Sequence, residues 1–318
     1  MHNNRRRPVF GSLLPASVVA GAACVAGLWA AVLPVNLHAQ AREKTIYVSV
    51  LDRDKKPIKT LQPEDITIRE DNATREILRI VPATDPMQIA LLVDNSQAAT
   101  QRIQRMRDAL TAFVNKVANG THEISFVTMA DRPTLLLDST KDAKTLLSKG
   151  VNRLFALPGS GMTMLDAIVQ TTKGFQKREA ARPVIIAIQT EGAEFSQDHY
   201  ETVLNALKDS GTALYALVLT DGPEANPAQD EIRNRNIVLD RGTKETGGRR
   251  ETLITEMALQ DNLLNVADEL LNQFKVTYAR PEQLIPPKTT TVEAKAAGVT
   301  ARGTLPGPRD ARASRGSK

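Results

Sequence analysis

The sequence predicts an α/β protein in which a doubly wound, mostly parallel sheet follows a small antiparallel β unit. From residue 87 to residue 281, strand-like apolar runs alternate with segments whose apolar residues recur at helical spacing. That alternation is typical of a parallel sheet with helices on both faces. The run at 88–93 is almost continuously apolar, as expected of a strand buried on both faces.

The antiparallel unit is predicted over residues 42–83. Its segments at 45–51, 65–69 and 76–81 are short, rich in β-branched residues and separated by polar turns. This pattern is typical of antiparallel strands joined by tight connections.

The larger domain is predicted over residues 87–281, with its elements placed by apolar periodicity. Strands are predicted at residues 88–93, 123–129, 134–137, 184–188, 213–219 and 275–278. Helices are predicted at residues 103–117, 163–175, 200–207 and 263–274.

Residues 1–41 have the composition of a signal peptide. Three arginines at 5–7 precede an apolar run at 13–37, and the segment ends in Ala39-Gln40-Ala41, a small-x-small pattern that a signal peptidase accepts. We expect cleavage near Ala41 and an extracytoplasmic protein, periplasmic or secreted. An uncleaved anchor is the alternative, because the apolar run is longer than a usual signal core. In that case the leader would be the only contact with a membrane.

Composition excludes several kinds of chemistry. The only cysteine, Cys24, lies in the leader, so the mature chain has no disulfide and no thiol nucleophile. His122 and His199 are the only histidines after the leader, which leaves little for a zinc site or for histidine-based catalysis. The sequence therefore predicts a protein that is not an enzyme.

The basic charge lies mainly at the two ends of the chain. The leader holds three of the 41 basic residues and none of the 36 acidic ones, so the net charge falls from +5 to +2 without it. Residues 288–318 hold seven basic and two acidic residues among many Gly, Pro, Ala and Ser. We therefore expect residues 282–318 to form an extended strand and a basic disordered tail, and we expect no nucleic-acid partner.

Oxygen-bearing side chains follow the predicted strands where ligands bind in such sheets, beyond the carboxyl ends. Asp94 and Ser96 follow the strand at 88–93, Thr163 precedes a helix, and Glu191 follows the strand at 184–188. Carboxylates and hydroxyls without nitrogen or sulfur suit a hard cation such as Mg²⁺ or Mn²⁺. Alternatively, Asp94 and Ser96 only cap the next helix.

Three motifs in this order resemble the loops of a von Willebrand factor A domain: Asp94-x-Ser96, Gly161-x-Thr163 and Thr190-Glu191-Gly192. Further motifs resemble the exported bacterial "VWFA-related" subfamily over residues 44–305: Val48-Ser49-Val50-Leu51-Asp52, Leu61-x-Pro63-Glu64-Asp65, Glu70-Asp71-Asn72, Thr246-Gly247-Gly248-Arg249 and Asn272-Gln273-Phe274-Lys275-Val276-Thr277-Tyr278. The resemblance implies a Rossmann-like domain that binds proteins.

The resemblance also implies a metal-ion-dependent adhesion site at Asp94, Ser96, Thr163 and Glu191, completed by a carboxylate of a protein partner. Two positions depart from the family pattern. Ala98 stands where a second ligating serine belongs, and Glu191 replaces an aspartate. We therefore expect a degenerate site in which binding of Mg²⁺ or Mn²⁺ is weak or lost.

The leading functional hypothesis is an exported adhesion or scaffolding module that binds a protein through this rim. A structural envelope protein with an inert rim is the alternative. A serine hydrolase with Ser96 as nucleophile and His199 as base is a remote one, because no Gly-x-Ser-x-Gly motif surrounds Ser96.

Overall fold

The structure is a computed structural model that describes residues 41–222, 229–281 and 287–305. The predicted leader, apart from Ala41, lies outside the described residues, as does the tail beyond residue 305. The strands are β1 (Ala41–Leu51), β2 (Ile66–Glu70), β3 (Ala73–Arg75), β4 (Ile77–Pro82), β5 (Met87–Val93), β6 (Glu123–Thr128), β7 (Thr134–Thr140), β8 (Arg182–Thr190), β9 (Ala213–Leu219), β10 (Arg250–Leu253), β11 (Phe274–Pro281), β12 (Thr290–Ala294) and β13 (Thr300–Thr304). The helices are α1 (Ile103–Val117), α2 (Ala143–Thr145), α3 (Met164–Lys177), α4 (Tyr200–Ser210), α5 (Asp230–Ile237), α6 (Thr243–Glu245) and α7 (Ala258–Leu271).

A six-stranded sheet in the order β10-β9-β8-β5-β6-β7 forms the centre of the larger domain. Its strands run parallel except β7, which is antiparallel to β6. Alternate residues of β5 enter different cores: Leu91 and Val93 pack in the core that includes α1 and α7, whereas Ala90 and Leu92 pack in the core that includes α3 and α4. The predicted α/β class, with a mostly parallel sheet covered on both faces, is confirmed.

The strand order places β5 between β6 and β8. The chain continues from β5 through α1 to β6 on one side, and β8 lies on the other side. This is a point where the strand order reverses, which is where open α/β sheets form ligand crevices. The loop that begins at Asp94 therefore lies at the switch point of the sheet.

Two antiparallel sheets accompany the larger domain. One has the order β13-β1-β11-β4 and the other the order β12-β2-β3. Both enclose a third apolar core, which includes Val48, Ile68 and Val276. The first β unit, predicted from residues 42–83, is thus completed by strands from the far end of the chain.

Residues 282–318 were predicted to form an extended strand and a disordered tail, and the described part of this segment, residues 287–305, forms two strands. These residues form β12, which pairs with β2, and β13, which pairs with β1. The turn at Asp71 fastens their start, because its Oδ1 accepts the amides of Lys288 and Thr289, both at 3.0 Å. These two hydrogen bonds lower the pKa of Asp71. Composition indicated a solvated tail, but pairing with distant strands determines the structure here.

Three further differences concern α7, β10 and α5. The helix predicted at 263–274 ends at Leu271, and Phe274 begins β11, where it packs in the third core. The strand β10 and the helix α5 were not predicted, because β10 is a short edge strand and α5 buries only Ile232 and Arg235.

Candidate functional site

Asp94 fastens the loop after β5 to the end of β8. Its side chain is fully buried. Oδ1 accepts the Ser96 amide at 2.8 Å, and Oδ2 accepts the Thr190 amide at 3.1 Å and the Thr190 hydroxyl. Both carboxylate oxygens are therefore engaged by protein donors, in addition to any role that they have toward a ligand.

Thr163 lies at the same end of the sheet, directly before α3. Its Oγ1 donates to the Met129 carbonyl at 2.8 Å, and its amide donates to the same oxygen at 2.7 Å. Met129 directly follows β6 and its own amide donates to the Val93 carbonyl. The Thr163 loop is therefore connected to the end of β5, and both Thr163 and Ser96 are buried.

Glu191 points toward the loop after β9. Its Oε2 accepts the hydroxyl of Thr220 at 2.5 Å. Within the described part of the chain, no hydrogen bond joins its carboxylate to Ser96 or Thr163. The fourth predicted site residue thus lies in the expected loop, but its carboxylate is used to fix the neighbouring loop.

Glu194 is the acid that reaches the Thr163 loop, and sequence reasoning missed it. Its Oε1 accepts the Met164 amide at 3.0 Å and the Ser196 hydroxyl at 2.5 Å. Burial raises the pKa of Glu194 to about 7, although the hydrogen bond from Ser196 and the positive charge of Arg235 act in the opposite direction. Its position three residues after Glu191 was the only sequence signal, and that signal does not indicate burial.

Ala98, which stands where the family pattern has a second serine, packs closely against Gly192. A Cβ atom at Gly192 would lie 2.8 Å from the Cβ of Ala98, so these two loops already touch. Nη1 of Arg235 also donates to the Gly192 carbonyl at 2.8 Å. The loop that follows β8 and contains Glu191 and Gly192, called the third loop below, therefore contacts both the methyl group of Ala98 and the guanidinium of Arg235.

Three large apolar side chains are exposed around these loops: Phe155 (64%), Leu157 (45%) and Phe195 (52%). The first two flank the Asp94 loop, because Asn95 Nδ2 donates to the Phe155 carbonyl at 3.1 Å and the Leu157 amide donates to the Asn95 carbonyl at 2.7 Å. The ring of Phe195 lies over Gly161, where an added Cβ would meet it at 2.3 Å. We call these three residues the apolar rim.

The geometry offers no support for nucleophilic catalysis at Ser96. His199 precedes α4 and its ring contacts that of Tyr200, with 4.4 Å between the ring centroids. No hydrogen bond between His199 and Ser96 occurs among the described residues. In the same ranges, no three His, Cys, Asp or Glu side chains are grouped so as to hold a metal ion. None of the helices described there is long and apolar enough to cross a lipid bilayer.

A sheet of this topology, with its loops gathered at the switch point, defines a Rossmann-like α/β domain of the kind that presents a binding rim. Residues 89–192 match the family model of the von Willebrand factor type A domain. Over these residues the α/β unit is similar to a von Willebrand factor type A domain. Such domains are typically non-enzymatic modules of protein interaction, and many hold a metal ion at the rim.

Solved structures with a similar fold include a conserved hypothetical protein BatB from Bacteroides thetaiotaomicron, with 14% identity over 58% of this chain and 98% of that chain and a TM-score of 0.43. A von Willebrand factor type A protein from Catenulispora acidiphila has 10% identity over 84% and 74% of the two chains and a TM-score of 0.47. Proximal thread matrix protein 1 from the mussel byssus, whose metal-ion-dependent adhesion site is occupied by zinc, has 16% identity over 64% and 49% and a TM-score of 0.46. None of the curated protein sequences matches the chain significantly.

Proposed function

We propose that this protein is an exported, non-enzymatic binding module that contacts a protein partner through the apolar rim. The observation that carries the proposal is the exposure of Phe155, Leu157 and Phe195 around the loops of Asp94 and Thr163. Aromatic side chains are enriched at the centres of protein interfaces, where they supply large contact areas at low entropic cost. Three large apolar side chains together at a switch point are therefore suited to a protein surface.

The proposed contact depends weakly or not at all on a divalent cation. The donor set supports this, because it does not fit a hard ion that demands near-ideal octahedral geometry. Both oxygens of Asp94 accept protein donors, and Ala98 presents a methyl group where a hydroxyl belongs. The carboxylate of Glu191 accepts a hydrogen bond from Thr220, away from Ser96 and Thr163.

Export is the second part of the proposal and rests on the sequence of the leader. An arginine-rich start, an apolar run and the Ala39-Gln40-Ala41 end together favour cleavage and an extracytoplasmic location. Cleavage after Ala41 would make Arg42 the first residue of the mature protein, and N-terminal sequencing of the protein recovered from cells reads this directly. An intact Met1 on the exported protein would contradict cleavage and support an anchor.

A Phe155→Ser/Phe195→Ser double variant is expected to lose its partner while keeping its fold. Both rings are largely exposed, so their removal costs little stability. Removing two aromatic anchors from an interface, in contrast, lowers the affinity about tenfold or more. The measurement is a pull-down of partner proteins from an envelope extract by the purified wild-type and variant proteins, with circular dichroism to verify the fold.

Leu78→Ser is the matched control. Leu78 is 46% exposed on β4, at the edge of the antiparallel sheet. Under the proposal this variant retains the partners that the rim variant loses. If the rim variant captures the same proteins as the wild type, and Leu78→Ser does not, the rim is inert and the antiparallel sheet of a structural envelope protein is the contact surface.

A further inference from the structure

Arg235 places a positive charge against the loop that follows β8 and contains Glu191 and Gly192. It lies on α5 and its side chain is fully buried, with Nη1 bonded to the carbonyl of Gly192 at 2.8 Å. A charged group is expensive to bury unless opposite charges and hydrogen bonds compensate for the lost water. The reason for a buried guanidinium at this position must therefore be sought among its neighbours.

Those neighbours include acidic residues of the loops that follow β5 and β8. Gly192, which accepts the guanidinium, is adjacent to Glu191 and two residues before Glu194 in the same loop. Glu194 is fully buried, and its Oε2 has no hydrogen-bond partner among the described residues. Burial lowers the pKa of Arg235, whereas the negative charges of Glu194, Glu191 and Asp94 act in the opposite direction. The guanidinium of Arg235 thus interacts electrostatically with three carboxylates of the loops that follow β5 and β8.

Among the described residues, Arg102 and Arg250 contact acids other than those of the Asp94 and Glu191 loops. Arg102 pairs with Asp221 and Glu256, and Arg250 pairs with Asp240 at 2.6 Å. Arg102 connects the segment before α1 with the loops after β9 and β10. Arg235 differs because it is held against the third loop itself.

We propose that Arg235 is an internal substitute for the divalent cation of a von Willebrand factor type A rim. Its guanidinium balances the charges of Asp94, Glu191 and Glu194 and holds the third loop through the Gly192 carbonyl. A fixed positive charge at this position also repels an incoming divalent cation, and that repulsion is strong where little water remains. The rim is therefore preassembled without metal, whether or not it binds a partner.

The proposal is tested by thermal unfolding of the full chain in EDTA and in millimolar Mg²⁺. The Tm of the wild type is expected to be the same in both solutions. Arg235→Met removes the charge but keeps an apolar stem, and it should lower Tm by about 6–20 °C in EDTA, because it leaves buried carboxylates uncompensated.

Arg233→Met is the matched control on the same helix. Arg233 is exposed and pairs with Asp230 one turn away, so its loss should move Tm by less than about 2 °C. Adding Glu191→Gln to Arg235→Met should recover part of the loss, because it removes one of the charges that Arg235 balances. If Arg235→Met does not fold, Arg235→Lys, which keeps the charge, should fold with a Tm nearer to that of the wild type.

Three results would overturn the proposal. The first is a Tm of Arg235→Met within about 2 °C of the wild type. The second is a wild-type Tm that falls in EDTA. The third is a decrease in Tm in Arg235→Lys as large as that in Arg235→Met, which would show that the shape of the arginine side chain, and not its charge, stabilises the domain.

Discussion

Replacing Glu269 with alanine is expected to lower the free energy of unfolding by about 3–5 kcal/mol. Glu269 lies on α7 and is 1% exposed. Its Oε1 accepts the Tyr215 hydroxyl at 2.9 Å and Nη2 of Arg302 at 2.6 Å, and its Oε2 lies 3.1 Å from Nε of Arg249. The truncation removes the buried counter-charge of Arg302 and one of two acidic partners of Arg249, which also contacts Glu251. Removing one partner of a buried ion pair is costly because the other charge stays buried.

Urea denaturation of the full chain measures this loss, and Asp268→Ala is the control. Asp268 is the preceding residue of α7 and forms a partly exposed ion pair with Lys116 at 2.7 Å. Its removal should cost less than about 1 kcal/mol. Equal losses in the two variants would show that Glu269 is not a buried hub between α7, β9 and β13.

Gly248→Ala is the second substitution with a large expected effect, a loss of about 3 kcal/mol or more. A Cβ atom at Gly248 would lie 1.9 Å from the carbonyl oxygen of Leu214 and 2.6 Å from its carbonyl carbon. Both are backbone atoms of β9, whose residues are all buried, and they cannot rotate aside. The chain between α6 and β10 would have to move away from the sheet to admit the methyl group.

Gly174→Ala is expected to have the opposite effect on stability, and urea denaturation measures both variants. Gly174 is inside α3, and the nearest atoms to an added Cβ belong to the Arg178 guanidinium at 3.5 Å. This variant should be more stable than the wild type by about 0.5–1 kcal/mol, because alanine favours a helix interior over glycine. A Gly248→Ala protein with the denaturation midpoint of the wild type would contradict the close approach of Gly248 to β9.

The parts of the fold that the sequence predicted are those determined by local patterns. The continuous apolar run at β5 and the helical spacing in α1 predicted a buried strand and an amphipathic helix, and both are present. Asp94, Ser96 and Thr163 were identified because they follow or precede such elements at the carboxyl end of the sheet. Their proximity to the switch point follows from topology, which the alternation of strands and helices predicts.

The remaining features depend on contacts between distant parts of the chain. Residues 300–304 have a tail-like composition, yet they pair with β1 and are secured by Arg302 against Glu269. Arg235 could not be identified from sequence, because a buried arginine on a short helix of weak apolar periodicity resembles a surface residue. The orientation of Glu191 toward Thr220 likewise depends on the loop after β9, which no local pattern specifies.

Capture of partner proteins in EDTA tests whether the apolar rim binds a protein without a divalent cation. The wild-type protein is incubated with envelope extract in EDTA and in Mg²⁺, and the bound proteins are compared with those of the Phe155→Ser/Phe195→Ser variant. We expect the wild type to capture the same partners in both solutions and the variant to lose them in both. Capture by the wild type that disappears in EDTA and returns with Mg²⁺ would contradict the claim.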